Sequence, residues 1–375
     1  MVERSAPMTP DEVDRRIIPP SAFVADPSAF VDVRIPRSVG KASYSFIGAG
    51  VSQNHDNPIN LPEAHGFHIG AASMPSGVIN NQHMHFTAEV FICTRGAFMM
   101  RVGEHEDQEL EVRAGDVFSV PTWIFRGFQN VGDDDSWLFT VLGHDDTGGI
   151  LWSPRVIREA AETGMYLRRD QTILDTNAGD VLDGQDIIGP MSEVDLAELD
   201  VYTDDELRAH VVNRDTADYS SRALLSSVLP GHAAELAPVI GYGMTEDRRH
   251  VPPMHRPLGF TLEWLRMPPG SSLGTHRHDD TQVLLLIDGD WELTLERGDD
   301  AVRRRPAHES VVSVPRGVWR DLANVGDGVA HALVVNGGDS RTRIEWDPAI
   351  VAAAREAGHA RDAHGYLAPV RLVEP

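Results

Sequence analysis

The sequence is poor in features that commonly point to a function. It has one cysteine, Cys93, and one lysine, Lys41, beside 32 arginines, and no long apolar run. A lone cysteine excludes an internal disulfide and accords with a reducing compartment. No stretch approaches the ~18 apolar residues of a membrane span, and the opening MVERSAPMTPDEVDRR lacks the apolar core of a signal peptide, so a cytoplasmic location is expected. Basic surface is missing too. With a formal charge of −24 there is no cationic stripe to release counterions from a phosphate backbone, so neither nucleic acid nor an anionic membrane is an expected partner. The skew from lysine to arginine reads as coding bias, and it leaves few groups for Schiff-base chemistry.

At 375 residues the chain exceeds what one core usually serves, and two domains are expected. Comparing the chain with itself supplies them. A shift of 193 or 194 residues lays GVINNQHMHFTAEVFICTRG from Gly77 over GSSLGTHRHDDTQVLLLIDG from Gly270. It also lays GDVFSVPTWIFRGFQN from Gly115 over ESVVSVPRGVWRDLAN from Glu309, and ILWSPRVIREAAETG from Ile150 over IEWDPAIVAAAREAG from Ile344. The chain is a tandem duplication, with domains at 1–185 and 195–375 and β cores at about 40–150 and 235–342, joined around the acidic DVLDGQDIIGPMSEVDLAELD. Short runs such as VFICT, AFMMRV and DVFSV between Gly, Asp and Pro breaks predict antiparallel sheet. Each half opens with a capped helix after Thr9 or Thr203 and closes with one after Ser153-Pro154 or Asp347-Pro348.

Both halves resemble cupins, so the chain resembles a two-domain cupin, or bicupin. The family's first motif, G-x5-H-x-H-x3,4-E-x6-G, is met at Gly77, His83, His85, Glu89 and Gly96. Its second, G-x5-P-x-G-x2-H-x3-N, is met at Gly115, Pro121 and Asn130, with Trp123 in the glycine place and Arg126 in the histidine place. The second half matches at Gly270, His276, His278 and Gly289, then at Pro315, Gly317 and Asn324; it departs with Gln282 for Glu, Glu309 for Gly and Arg320 for His. The resemblance implies a mostly β protein of two tandem double-stranded β-helix, or jelly-roll, barrels with flanking helices. It implies metal held inside the barrels and homo-oligomers.

Residues two apart on a strand point to one side, so His83 and His85 face inward together, as do Glu89, Phe91 and Cys93 on the next strand. Two imidazoles and a carboxylate form the facial triad of non-haem Fe(II) oxygenases, and manganese or nickel would also fit. The candidate ligands are His83, His85 and Glu89, with His276, His278 and the weaker Gln282 in the second half. An arginine cannot be a ligand, since it has no lone pair to donate. Arg126 therefore either clamps an anionic substrate beside a metal on Glu89 or pairs with Glu89 in place of the metal; Arg320 has no such carboxylate and is kept as a second catalytic candidate. The leading expectation is an Fe(II) dioxygenase acting on a small aromatic or enolic carboxylate, by analogy with bicupin dioxygenases that keep the histidine. The alternatives are a redox-neutral cupin isomerase, decarboxylase or lyase, and a metal-free binder of small anions. Among the other residues, Cys93 is read as a packed thiol, Trp123 and Trp319 as core or rim, and His65, His68, His255 and His308 as ordinary surface or loop histidines.

Overall fold

A computed structural model of the chain describes residues 6–182, 186–256 and 258–373, so the end of the first repeat at 183–185 lies outside the described residues. The chain forms two compact units, one of Val24–Asp215 and one of Met1–Phe23 with Thr216–Pro375.

Among the described residues, the first unit is built on two antiparallel sheets. One has five strands in the order Ile150–Trp152, Ile79–His85, Arg126–Asn130, Ala97–Val102 and Gln108–Arg113. The other has seven, in the order Val211–Asn213, Asp116–Val120, Glu89–Arg95, Ser136–Gly143, Phe67–Met74, Ala42–Ile47 and Ile59–Leu61, the last pairing in parallel. The inner faces meet in a core containing Phe91, Cys93, Phe98, Met100, Phe118 and Phe128, the face that strand parity predicts. The second unit repeats the plan with five-stranded and six-stranded sheets around Leu236, Leu284, Trp291, Val312 and Leu322.

Turn chemistry holds the frame even where the motif departs. Glu309 stands in a glycine place and keeps φ at 59°, while Trp123 stands in another and keeps 57°, against 97° and 73° at the equivalent Gly115 and Gly317. A side chain in this left-handed region costs about 1–2 kcal/mol, so the turns survive because the surrounding strands impose them.

The packing units and the sequence repeats divide the chain at different places. Residues 17–18 pair with Val311–Val314 of the second unit, Ile17 opposite Val312. The equivalent arm Val211–Asn213 pairs with Asp116–Val120 of the first, Val211 opposite Phe118. Each arm follows a short helix with a complete capping box, Thr9 with Glu12 and Thr203 with Glu206. Each arm also covers a sheet edge, and the helix before it carries a fully buried apolar residue into that unit's core, Val13 in the second and Leu207 in the first. A two-residue strand has no periodicity to read, so the repeat boundary alone does not reveal which barrel an arm covers.

A fragment of residues 24–215 should therefore melt well above a fragment of residues 24–184. The shorter piece exposes the edge of Asp116–Val120 and loses Leu207, whose burial alone contributes about 1.5–3 kcal/mol. Equal melting temperatures by calorimetry would show that the arm adds nothing to the first unit.

Candidate metal centre and cavity

The strand Ile79–His85 lies between Arg126–Asn130 and Ile150–Trp152, with His83 opposite both Arg126 and Trp152. Glu89 starts the next strand, between Val120 and Leu142. This register brings one ligand atom from each of His83, His85 and Glu89 within 4.8 Å of the other two, and all three side chains are buried.

The protonation states suit a cation. Burial pulls His83 well below the ordinary histidine range, and the Arg126 and His85 charges pull the same way. His85 is lowered by burial and Arg126 too, with Glu89 opposing. Burial would raise the Glu89 carboxyl, but Arg126, His85 and His83 outweigh it and hold Glu89 ionised, well below the usual carboxylate range. The Nδ1–H of His83 donates to the Asn81 carbonyl at 2.7 Å, which leaves the Nε2 lone pair for a ligand. Two neutral imidazoles and one ionised carboxylate fit a divalent ion.

Arg126 forms the ion pair with Glu89 that the second branch of the fork posed by the sequence requires, through one carboxylate oxygen alone. Its Nε and Nη2 donate to the same oxygen, Glu89 Oε2, at 2.9 and 2.7 Å, and Nη1 reaches the His83 carbonyl at 3.4 Å. Glu89 Oε1 stays outside this fork and lies 3.4 Å from His85 Nε2. The arginine thus anchors one carboxylate oxygen and leaves the other facing the histidines. Its partner Glu89 lines the adjoining cavity, while Arg126 is not among the lining residues.

That cavity holds some 730 Å³ of space, solvent at its mouth included. Apolar walls come from Phe30, Phe91, Phe128 and Trp152, and polar groups from Lys41, Tyr44, His68, Asn80, Thr140 and the three candidate ligands. His68, expected to be an ordinary surface or loop histidine, is buried in the wall, with Nδ1 accepting from the Gly50 amide at 3.1 Å and Nε2 donating to the Asp145 carbonyl at 3.0 Å. Both ring nitrogens are spent. His65 is buried as well, while His255 is exposed. Cys93 packs in the core, and burial pushes its thiol up to about 12. Trp123 stands half exposed at an edge-to-face distance of 6.0 Å from Phe86, and Trp319 is buried with the Arg277 and Arg297 guanidinium groups 4.8 and 4.0 Å from its ring centroid.

The second barrel has the same frame and a different interior. His276 lies opposite Arg320 and Trp346, as His83 lies opposite Arg126 and Trp152. With Gln282 in place of a carboxylate, Arg320 Nη1 approaches His278 Nε2 at 3.1 Å and Gln282 Oε1 at 3.2 Å, and Nη2 donates to the Pro315 carbonyl at 2.9 Å. The lone pair that a metal would use on His278 faces a guanidinium. Gln282 Nε2 donates onward to Asn336 Oδ1 at 2.9 Å, Asn336 Nδ2 to Glu263 Oε1 at 3.3 Å, and the Met244 amide to Glu263 Oε1 at 2.9 Å. Glu263 stands where the first repeat has Gly70, so a polar chain fills space that the first barrel leaves to its cavity. Sequence reasoning passed over Glu263, although an acid inside a β run such as FTLEWLRM was a visible signal.

These geometries set the terms for comparison with known proteins. The model of the Cupin_2 family, described as a cupin domain, matches residues 71–142 and 263–336. Each half of the chain carries a cupin domain. No curated protein matches the sequence. Among solved structures, the formate complex of Lactobacillus farciminis oxalate decarboxylase aligns with a TM-score of 0.54 at 11% identity, covering 94% of this chain and 92% of that one. A deletion mutant of the Bacillus subtilis oxalate decarboxylase aligns at 0.52 and 13%, covering 88% and 79%. A structure of the same B. subtilis enzyme, from work on its Mn(II) centres, aligns at 0.51 and 13%, covering 88% and 79%. Identity this low establishes a shared bicupin fold and leaves the activity to be argued from the site.

The interior acid of the second cupin domain gives a pH test. Burial raises Glu263 to about 8 against an ordinary value of 4.5, although the Met244 amide and Asn336 pull it down. The folded chain therefore keeps a proton that the unfolded chain releases between these values, and stability should fall as pH rises through that window, by up to about 1.4 kcal/mol per unit. Glu263→Gln should flatten this slope and raise the melting temperature at pH 8 more than at pH 5. Parallel wild-type and variant melting curves across that range would refute it.

Proposed function

We propose that the first cupin domain is a divalent-metal site, with manganese the first candidate and iron the second, which performs a redox-neutral reaction such as decarboxylation on a small carboxylate. The observation that carries this reading is the convergence of His83, His85 and Glu89 within 4.8 Å on the wall of a cavity. The same donors would serve an Fe(II) dioxygenase, the reading that the sequence first suggests. What favours the redox-neutral alternative is the company the fold keeps: its structural neighbours are titled oxalate decarboxylases, one of them with Mn(II) centres.

When bound, the metal would act as a Lewis acid toward a carboxylate or enolate oxygen. His83 and His85 are kept neutral by burial and so keep their lone pairs. Arg126 is a positioning residue: it holds Glu89 ionised and turned so that Oε1 faces the site. The aromatic walls exclude water and favour an acid with an apolar portion over a bare two-carbon one. We infer no metal in the second barrel, because Arg320 already engages His278 and Gln282. His276, His278 and Gln282, the second ligand set expected from the sequence, then hold no metal, and Arg320 has a structural role.

Elemental analysis of the purified chain should find about one equivalent of divalent metal, and Glu89→Gln should weaken its binding by roughly tenfold or more. His276→Ala should leave the metal content unchanged. With a panel of small carboxylic acids, carbon dioxide release without net oxygen uptake is expected. Stoichiometric oxygen uptake would return the assignment to a dioxygenase, and a metal-free wild type would leave only an anion-binding protein.

A further inference from the structure

Arg126 spends its donors on Glu89 and the His83 carbonyl and is not among the residues lining the cavity, so an anionic ligand there calls for another cationic group. Lys41, the only lysine in the chain, is buried in the cavity wall. Its ammonium donates to Asp32 Oδ1 at 2.5 Å and to Asn80 Oδ1 at 2.7 Å, and lies 5.2 and 5.8 Å from the ring centroids of Phe30 and Trp152. An ammonium has three N–H donors, and among the described residues two oxygen partners are found for it, Asp32 and Asn80, beside the two aromatic rings. Asp32 is well supplied without it, accepting from the Asn81 side chain at 2.8 Å and from Ser38 Oγ at 3.3 Å. Lys41 sits close to the candidate ligands, since Asn80 Nδ2 is 3.4 Å from His83 Nδ1.

The second repeat provides an internal control for a purely structural role. The two repeats share local hydrogen bonds that fix their correspondence. The Val31 amide donates to Gln53 as the Leu225 amide does to Glu246, and the Asp26 amide donates to the Ser43 carbonyl as the Ser220 amide does to the Leu236 carbonyl. In this register Asp32, Lys41 and Asn80 correspond to Ser226, Ala234 and Leu273. All three are buried, and Ala234 and Leu273 belong to the apolar core. The fold thus closes without the charged trio, and a buried ion pair is often no more stabilising than apolar packing of the same volume. The charge is present only in the barrel that has both the cavity and the Glu89 triad.

We infer that Lys41 is an anion-binding residue of the first cupin domain, taking the second carboxylate of a short dicarboxylate whose first carboxylate lies toward His83, His85 and Glu89. This rests on the reading of that cavity as the substrate site and not on the identity of the metal.

The test is calorimetric titration of the full-length chain with malonate and succinate, using propionate as the monocarboxylate control. Three proteins are compared: wild type, Lys41→Met, and the pair Asp32→Ser/Lys41→Ala, which installs the second repeat's residues and removes the partner that the single variant would leave unpaired. Metal content is measured in parallel. The wild type should bind a dicarboxylate at least roughly tenfold more tightly than either variant, the loss expected of one charge-assisted hydrogen bond. Propionate binding and metal content should stay unchanged. A wild type that lacks metal but still binds succinate through Lys41 would sink the metal reading and support this one. A metal-replete wild type that binds dicarboxylates no better than the paired variant, or not at all, overturns it and leaves Lys41 a structural ion pair.

Discussion

The candidate metal site of the first barrel depends on the buried ion pair between Arg126 and Glu89. A guanidinium and a carboxylate inside a protein each need a partner, because several kcal/mol of hydration per ion are lost on burial. Arg126 spends two of its donors on a single oxygen of Glu89. That asymmetry has consequences on both sides. It keeps Glu89 ionised in a place where burial alone would protonate it, and it leaves Oε1 free to face His85. It also occupies the arginine's donors, and Arg126 is not among the residues lining the cavity.

The second barrel indicates what the same frame does when the carboxylate is missing. Arg320 keeps the register of Arg126 but turns to His278, Gln282 and backbone carbonyls. Interior space is then taken up by the chain from Gln282 through Asn336 to Glu263. Where the first barrel pairs Gly70 with Thr140, the second pairs Glu263 with Val334, so a carboxyl side chain stands at the register position that glycine holds in the first. One duplication has produced a barrel with a cavity and a barrel without these cavity-forming residues, and the histidine pair alone does not distinguish them.

Much of this was legible in the chain. The duplication, the two cupin frames and the inward set His83, His85 and Glu89 follow from spacing and strand parity, which are local properties. What escaped depends on distant partners. The direction of Arg126 is decided by one carboxylate oxygen, and the covering of sheet edges by residues 17–18 and 211–213 is decided by pairings hundreds or about a hundred residues away in sequence. His68 looked like a loop histidine because its two partners, the Gly50 amide and the Asp145 carbonyl, are backbone groups with no sequence signature. Lys41 looked like a remnant of codon usage until the cavity gave it a setting.

The central claim is that one barrel of this two-domain cupin holds a divalent metal on His83, His85 and Glu89 and the other holds none. Anomalous diffraction from crystals of the full chain grown with Mn(II) tests it most directly. The account predicts a single strong peak at ligand distance from His83, His85 and Glu89 and none beside His276 and His278. A peak in the second barrel, or no peak in the first, would contradict it.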